Sequence, residues 1–165
     1  DVLHVGALEM SWLRSAPFLG SVIMGIAVAY FPPHKNTGKI LHVVVAAYGV
    51  CIIGFAFSKI YWISFVLLSL SGCFDKVSMV VRGSILQLST PDSMRGRVSA
   101  VSGVFIGSSN ELGAFESGTA AKILGLVPSV VFGGAMTLIA VVTSWKIFPE
   151  LKDFEIKRSL SKVNL

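Results

Sequence analysis

The chain of 165 residues is 53% hydrophobic and 14% charged, with a mean hydropathy of +0.76, whereas soluble domains average roughly 25% charged residues. An ordinary water-soluble globule is therefore excluded. The formal charge of +5 and pI near 9.4 do not point to nucleic acid, because the basic residues sit at the ends of apolar runs and form no patch interleaved with aromatics.

The first apolar segment runs from about Ser11 to Pro33, and its part from Ser15 to Pro33 has no formal charge. That is long enough to span hydrocarbon at about 1.5 Å per residue. Arg14 snorkels outward from its start. Pro17 is expected to kink or reset the helix, and Pro32-Pro33 to stop it. Ser21, Gly25 and Ala29 recur every fourth residue, which predicts a small-residue face for a neighbouring helix.

A polar link, His34 to Lys39, leads into the second segment, Ile40 to Ser58, with His42 as its titratable group near the interface. Lys59-Ile60-Tyr61-Trp62 reads as a tight turn whose aromatic pair belongs at headgroup depth. The third segment, from about Ile63 to Thr90, starts charge-free and then carries Asp75, Lys76 and Arg82. Asp75 and Arg82 lie about 20° apart on a helix, with Ser71 and Ser78 on the same face. Ionisable groups in such a segment are costly and normally face a bundle interior, a partner or a watery cavity.

Pro91 is expected to end this helix and Asp92 to cap the next, with Arg95 and Arg97 anchoring the link at the surface. The fourth segment, Val98 to Leu124, aligns Ser102, Ser109 and Glu116 and adds small residues at Gly103, Gly107, Gly113 and Ser117, a pattern that favours close helix packing. After a turn at Gly125 to Pro128, a charge-free fifth span ends at Trp145-Lys146, and the tail 149–165 is mixed and basic. The expected architecture is an all-α polytopic membrane bundle of five transmembrane helices, at about 11–33, 40–58, 61–90, 97–124 and 128–148. Residues 1–10 form an extracytoplasmic segment, and the tail is cytoplasmic by the distribution of lysine and arginine.

Cys51 and Cys73 lie within apolar runs and read as small buried hydrophobes. His4, His34 and His42 have no metal-ligand spacing. No Walker loop, dinucleotide fingerprint, zinc spacing or nucleophile elbow is present, so neither an enzyme nor a cofactor is expected.

Arg82-Gly83-Ser84-Ile85-Leu86-Gln87-Leu88, the link Thr90-Pro91-Asp92-Ser93-Met94-Arg95-Gly96-Arg97-Val98-Ser99-Ala100-Val101, and the later Ser109-Asn110-Glu111-Leu112-Gly113 and Glu116-Ser117-Gly118 resemble the C-terminal half of major facilitator superfamily transporters. The group in question looks like the enterobactin exporters, and Trp12 to Pro17 looks like the start of its eighth helix. The resemblance spans helices eight to twelve. It departs in the link from Pro33 to Lys39, which keeps only Gly38-Lys39 of the acidic and Gly-Arg-Lys cluster usual there.

The resemblance implies an alternating-access carrier, usually driven by protons, exporting a small siderophore- or drug-like molecule across the cell inner membrane with its C-terminus in the cytoplasm. Its partners would be the lipid bilayer and the N-terminal half of the same transporter. The first, third and fourth segments would line the cavity, and the second and fifth would be peripheral. Asp75, Arg82, Glu111 and Glu116 are the candidate coupling or cavity residues, and Arg95, Gly96 and Arg97 the candidate cytoplasmic gate. Asp75 reads as half of an ion pair with Arg82, whereas Glu116, with no basic residue three or four positions away, reads as the proton-exchanging carboxylate. Two other classes stay open: a non-transporting membrane scaffold whose charges pair with one another, and a small channel subunit.

Overall fold

The computed structural model describes residues 6–31 and 37–147. These form five long helices and no strand: α1 (Ala7–Tyr30), α2 (Thr37–Phe57), α3 (Tyr61–Leu88), α4 (Arg95–Leu124) and α5 (Leu126–Ile147), with a single 3-10 turn at Asp92–Met94. Four of them, α1, α2, α3 and α5, are long and apolar enough to cross a membrane, which makes the chain a multi-pass membrane protein. The expected count of five spans is not met by that measure. The exception, α4, is the longest helix at 30 residues, but its glycines and serines, Glu111, Glu116, Lys122, Arg95 and Arg97 dilute its apolar content. Of the expected extracytoplasmic segment 1–10, residues 7–10 belong to α1 and 1–5 lie outside the described residues, as does the whole tail 149–165.

The helices end where local chemistry allows. α1 starts at Ala7, ahead of the expected Ser11, because the Glu9 carboxylate reaches back to accept the Gly6 N–H at 3.0 Å and satisfies one of the helix's orphan donors. It does not reset at Pro17, which lies inside it. At the end of α3, the Thr90 hydroxyl donates to the Leu86 carbonyl at 2.7 Å and Arg95 Nε to the Gln87 carbonyl at 3.2 Å. Asp92 does not cap α4 as expected. It opens the 3-10 turn, and its carboxylate pairs with Arg95 at 2.9 Å. Gly125 joins α4 to α5 with φ at +90°, a left-handed conformation that glycine adopts without a Cβ penalty.

Packing runs in a row: α1 against α3, α3 against α2, α2 against α5, and α5 against α4. The α1–α3 crossing is seated on Gly20 and Gly72, since a Cβ on Gly20 would run into the Ser69 carbonyl and one on Gly72 into the Pro17 carbonyl. Such backbone proximity suits a medium in which helices gain from close packing rather than from a hydrophobic drive. Leu13, Ala16 and Gly20 form the buried face of α1. The expected face of Ser21, Gly25 and Ala29 is only partly used, with Gly25 beneath the Lys76 chain and Ala29 exposed.

A second glycine seat, Gly49 against Gly134, joins α2 to α5, where a Cβ on Gly49 would lie 3.3 Å from the Gly134 carbonyl. α2 is thus packed on two sides among the described helices, against α3 and α5. Its composition is apolar all round, which fits lipid and helix neighbours equally and carries no directional signal. Large apolar side chains elsewhere, among them Phe18, Ile23 and Ile26 on α1 and Ile139 and Val142 on α5, point outward, as expected of helices facing lipid.

Candidate functional site

The polar stripe of α3 divides in the fold. Ser64, Ser71 and Ser78 are buried at 0%, 3% and 5% exposure and recur every seventh residue along the seam. Asp75 and Arg82 each follow a seam serine by four residues, which turns them about 40° out of it, and both are exposed. Among the described residues they do not form the expected ion pair. Arg82 Nε instead donates to the Ser78 carbonyl at 3.4 Å, while Asp75 lies within electrostatic reach of the Tyr48 hydroxyl on α2. Lys76 turns the other way and lays its aliphatic chain over Gly25, where an added Cβ would stand 3.3 Å from Lys76 Cε. Asp75 and Lys76 occupy the middle of the 28-residue α3, the depth at which ionised groups are most costly.

Glu111 and Glu116 stand on α4. Both are exposed and neither has an ion-pair partner among the described residues. No residue of α4 is buried, and a Cβ added at Gly103, Gly107, Gly113 or Gly118 would meet nothing within 4 Å. The small-residue ladders therefore face open space.

At the link, Arg95 is engaged locally by Asp92 and the Gln87 carbonyl, where a cation is favoured against the negative end of α3. Gly96 and Arg97 are exposed, and Arg97 has no ion-pair partner among the described residues. The expected gate is thus divided into one arginine that fastens the turn and one that projects freely.

One group of polar side chains between helices lies at the end where α2 begins and α3 and α5 finish. A cavity of about 310 Å³ there is lined by His42 from α2, Ser78 and Arg82 from α3, and Thr137 and Ser144 from α5. His42 is 5% exposed, so its ring is buried between helices, about one and a half turns from the start of α2. Its Nδ1 lies 2.8 Å from the Gly38 carbonyl; a carbonyl only accepts, so Nδ1 carries a proton and donates. The Ser144 hydroxyl and His42 Nε2 are hydrogen-bonded at 3.3 Å. Trp145 packs edge-on against the ring with centroids 5.1 Å apart.

Sequence reading singled out Arg82 here but missed Ser144 and Thr137. Nothing in the spacing links residue 42 to residue 144, and serines in apolar spans ordinarily bond back to their own helix. Cys73 does form a helix contact, donating from Sγ to the Gly20 carbonyl at 3.2 Å, and both cysteines are free thiols. Among the described residues no group of three or more His, Cys, Asp or Glu could hold a metal ion. No family model, curated protein or solved structure matches the chain.

Proposed function

We propose that the chain is part of a proton-coupled carrier that exports a small molecule across the cell inner membrane by alternating access, its C-terminus cytoplasmic. The observation that carries this reading is α4. A helix of 30 residues, about 45 Å long, brings two unpaired carboxylates and a serine stripe into a bundle whose other helices suit hydrocarbon. Carboxylates at membrane depth are tolerated against protein or a water-filled cavity and not against lipid. The open face of α4 would then border a path whose opposite wall comes from the N-terminal half of the transporter. Sequence resemblance to the major facilitator superfamily supports the same reading.

The scaffold alternative requires the intramembrane charges to neutralise one another. Among the described residues the one ion pair is Asp92–Arg95, in the link, which favours the carrier.

Glu116 is the residue proposed to exchange the coupling proton. It lies about 13 Å along α4 from Gly125 at 1.5 Å per residue. In the full-length protein in proteoliposomes, Glu116→Gln is expected to abolish the dependence of export on a proton gradient while leaving the purified protein folded. Wild-type gradient dependence in that variant would end the assignment, and a wild-type protein with no gradient-driven flux of any tested siderophore or drug would favour the scaffold.

A further inference from the structure

We infer that the cavity between α2, α3 and α5 binds a phosphate-bearing anion, with Arg82 and Ser78 as its donors. This stands independently of the carrier reading. Arg82 uses Nε on the Ser78 carbonyl, which leaves both guanidinium Nη groups without a protein partner among the described residues. Ser78 is 5% exposed and lines the cavity, and its hydroxyl likewise has no hydrogen-bond partner there. The other polar groups of the lining are already committed: Thr137 donates to the Gly133 carbonyl at 3.0 Å, Ser144 and His42 bond one another, and His42 Nδ1 donates to the Gly38 carbonyl. Unused donors therefore remain, one of them on a permanent cation, and no carboxylate lines the cavity. A guanidinium held at Nε offers its Nη pair in the planar geometry that suits two phosphate oxygens.

Depth and surroundings define the ligand further. Arg82 lies six residues from the end of α3 and His42 five from the start of α2, about 9 Å and 8 Å along the helices. That is where a lipid headgroup meets acyl chain. The remaining wall is apolar, with Leu41, Val45, Ala140 and Val141. Lys39 and Lys146 stand exposed at the same ends of α2 and α5 and add positive potential. The lining has no acidic group to receive a choline or ethanolamine amine, so a net-anionic headgroup fits better than a zwitterionic one. The shared chemistry is the phosphate, carried by a phospholipid or free in solution.

The test is thermal unfolding of the full chain in detergent, titrated separately with phosphatidylglycerol, phosphatidylcholine and inorganic phosphate. Saturable stabilisation is expected from phosphatidylglycerol or from phosphate, with little from phosphatidylcholine. Arg82→Gln is expected to weaken the half-saturating concentration by about tenfold, the loss of a charge-assisted contact, and Arg82→Lys by less. Response to the lipid alone assigns a headgroup; response to inorganic phosphate as well assigns the soluble anion. Either supports the site. Equal effects of the two lipids with none from phosphate would overturn it, as would Arg82→Gln titrating like wild type. Should that variant not fold, Ser78→Ala and Arg82→Lys replace it, and wild-type affinity in both would overturn the proposal equally.

Discussion

His42 and Ser144, 102 residues apart in sequence, are hydrogen-bonded at 3.3 Å through the serine hydroxyl and His42 Nε2. A third group, the Gly38 carbonyl, accepts from Nδ1 at 2.8 Å and orients the ring. The His42–Ser144 bond ties the start of α2 to the end of α5, beyond the glycine seat at Gly49 and Gly134. Removing one partner leaves the other unsatisfied in a buried position, which costs more than replacing both. Ser144→Ala is expected to lower stability by about 1 kcal/mol, and a double-mutant cycle with His42→Leu to return a coupling of about 0.6 kcal/mol, the average for hydrogen bonds between membrane helices. Strictly additive unfolding midpoints would mean that the bond contributes nothing.

Glycine positions should divide sharply by helix. Gly72→Val forces a side chain into the Pro17 backbone, and overpacking of this kind costs about 3 kcal/mol. Loss of folded protein, or a large drop in the unfolding midpoint, is the expected result. Gly103→Ala and Gly107→Ala meet nothing within 4 Å and should stabilise the isolated chain by about 0.5 kcal/mol each through helix propensity. If the chain works in the proposed carrier, the same two changes are expected to reduce flux there, because the proposed opposite wall needs that face. Unchanged flux would show that nothing approaches α4 closely at those glycines.

The two link arginines are separable. Arg95 is fastened to Asp92 and Gln87, so Arg95→Gln should loosen the turn, with a loss of well under about 1 kcal/mol because the pair is largely exposed. Arg97 has no such role. Arg97→Gln is expected to leave stability unchanged and to alter transport rate if the arginine reaches a carboxylate or a helix C-terminus on the opposite half. Flux equal to wild type, with topology mapped by cysteine labelling also unchanged, would reduce Arg97 to an anchor.

The helices are legible in the sequence because length, apolarity and the breakers at Pro91 and Gly125 act locally. Boundaries shifted by a few residues where a side chain supplied an end: Glu9 extended α1, and Thr90 and Arg95 satisfied the carbonyls that close α3. Asp92 looked like a cap in sequence, but the 3-10 turn placed it beside Arg95 instead.

Pairing between helices was far less legible. Asp75 and Arg82 share a face by spacing, yet that face straddles the edge of a buried serine seam, so they neither enter it nor meet each other. Periodicity gives the angle of a side chain about its own helix and says nothing of which neighbour stands at that angle. By itself the sequence determined an all-helical membrane chain with unusual charge on its third and fourth segments, since chain length, hydropathy and backbone satisfaction are properties of each segment alone. Only the tertiary structure decided that Gly20 would seat on α3 and Gly49 on α5, that His42 would find Ser144, and that Arg82 would open into a cavity with unused donors. Those outcomes depend on close approach between helices, where a single absent Cβ or a turn of about 40° selects the partner.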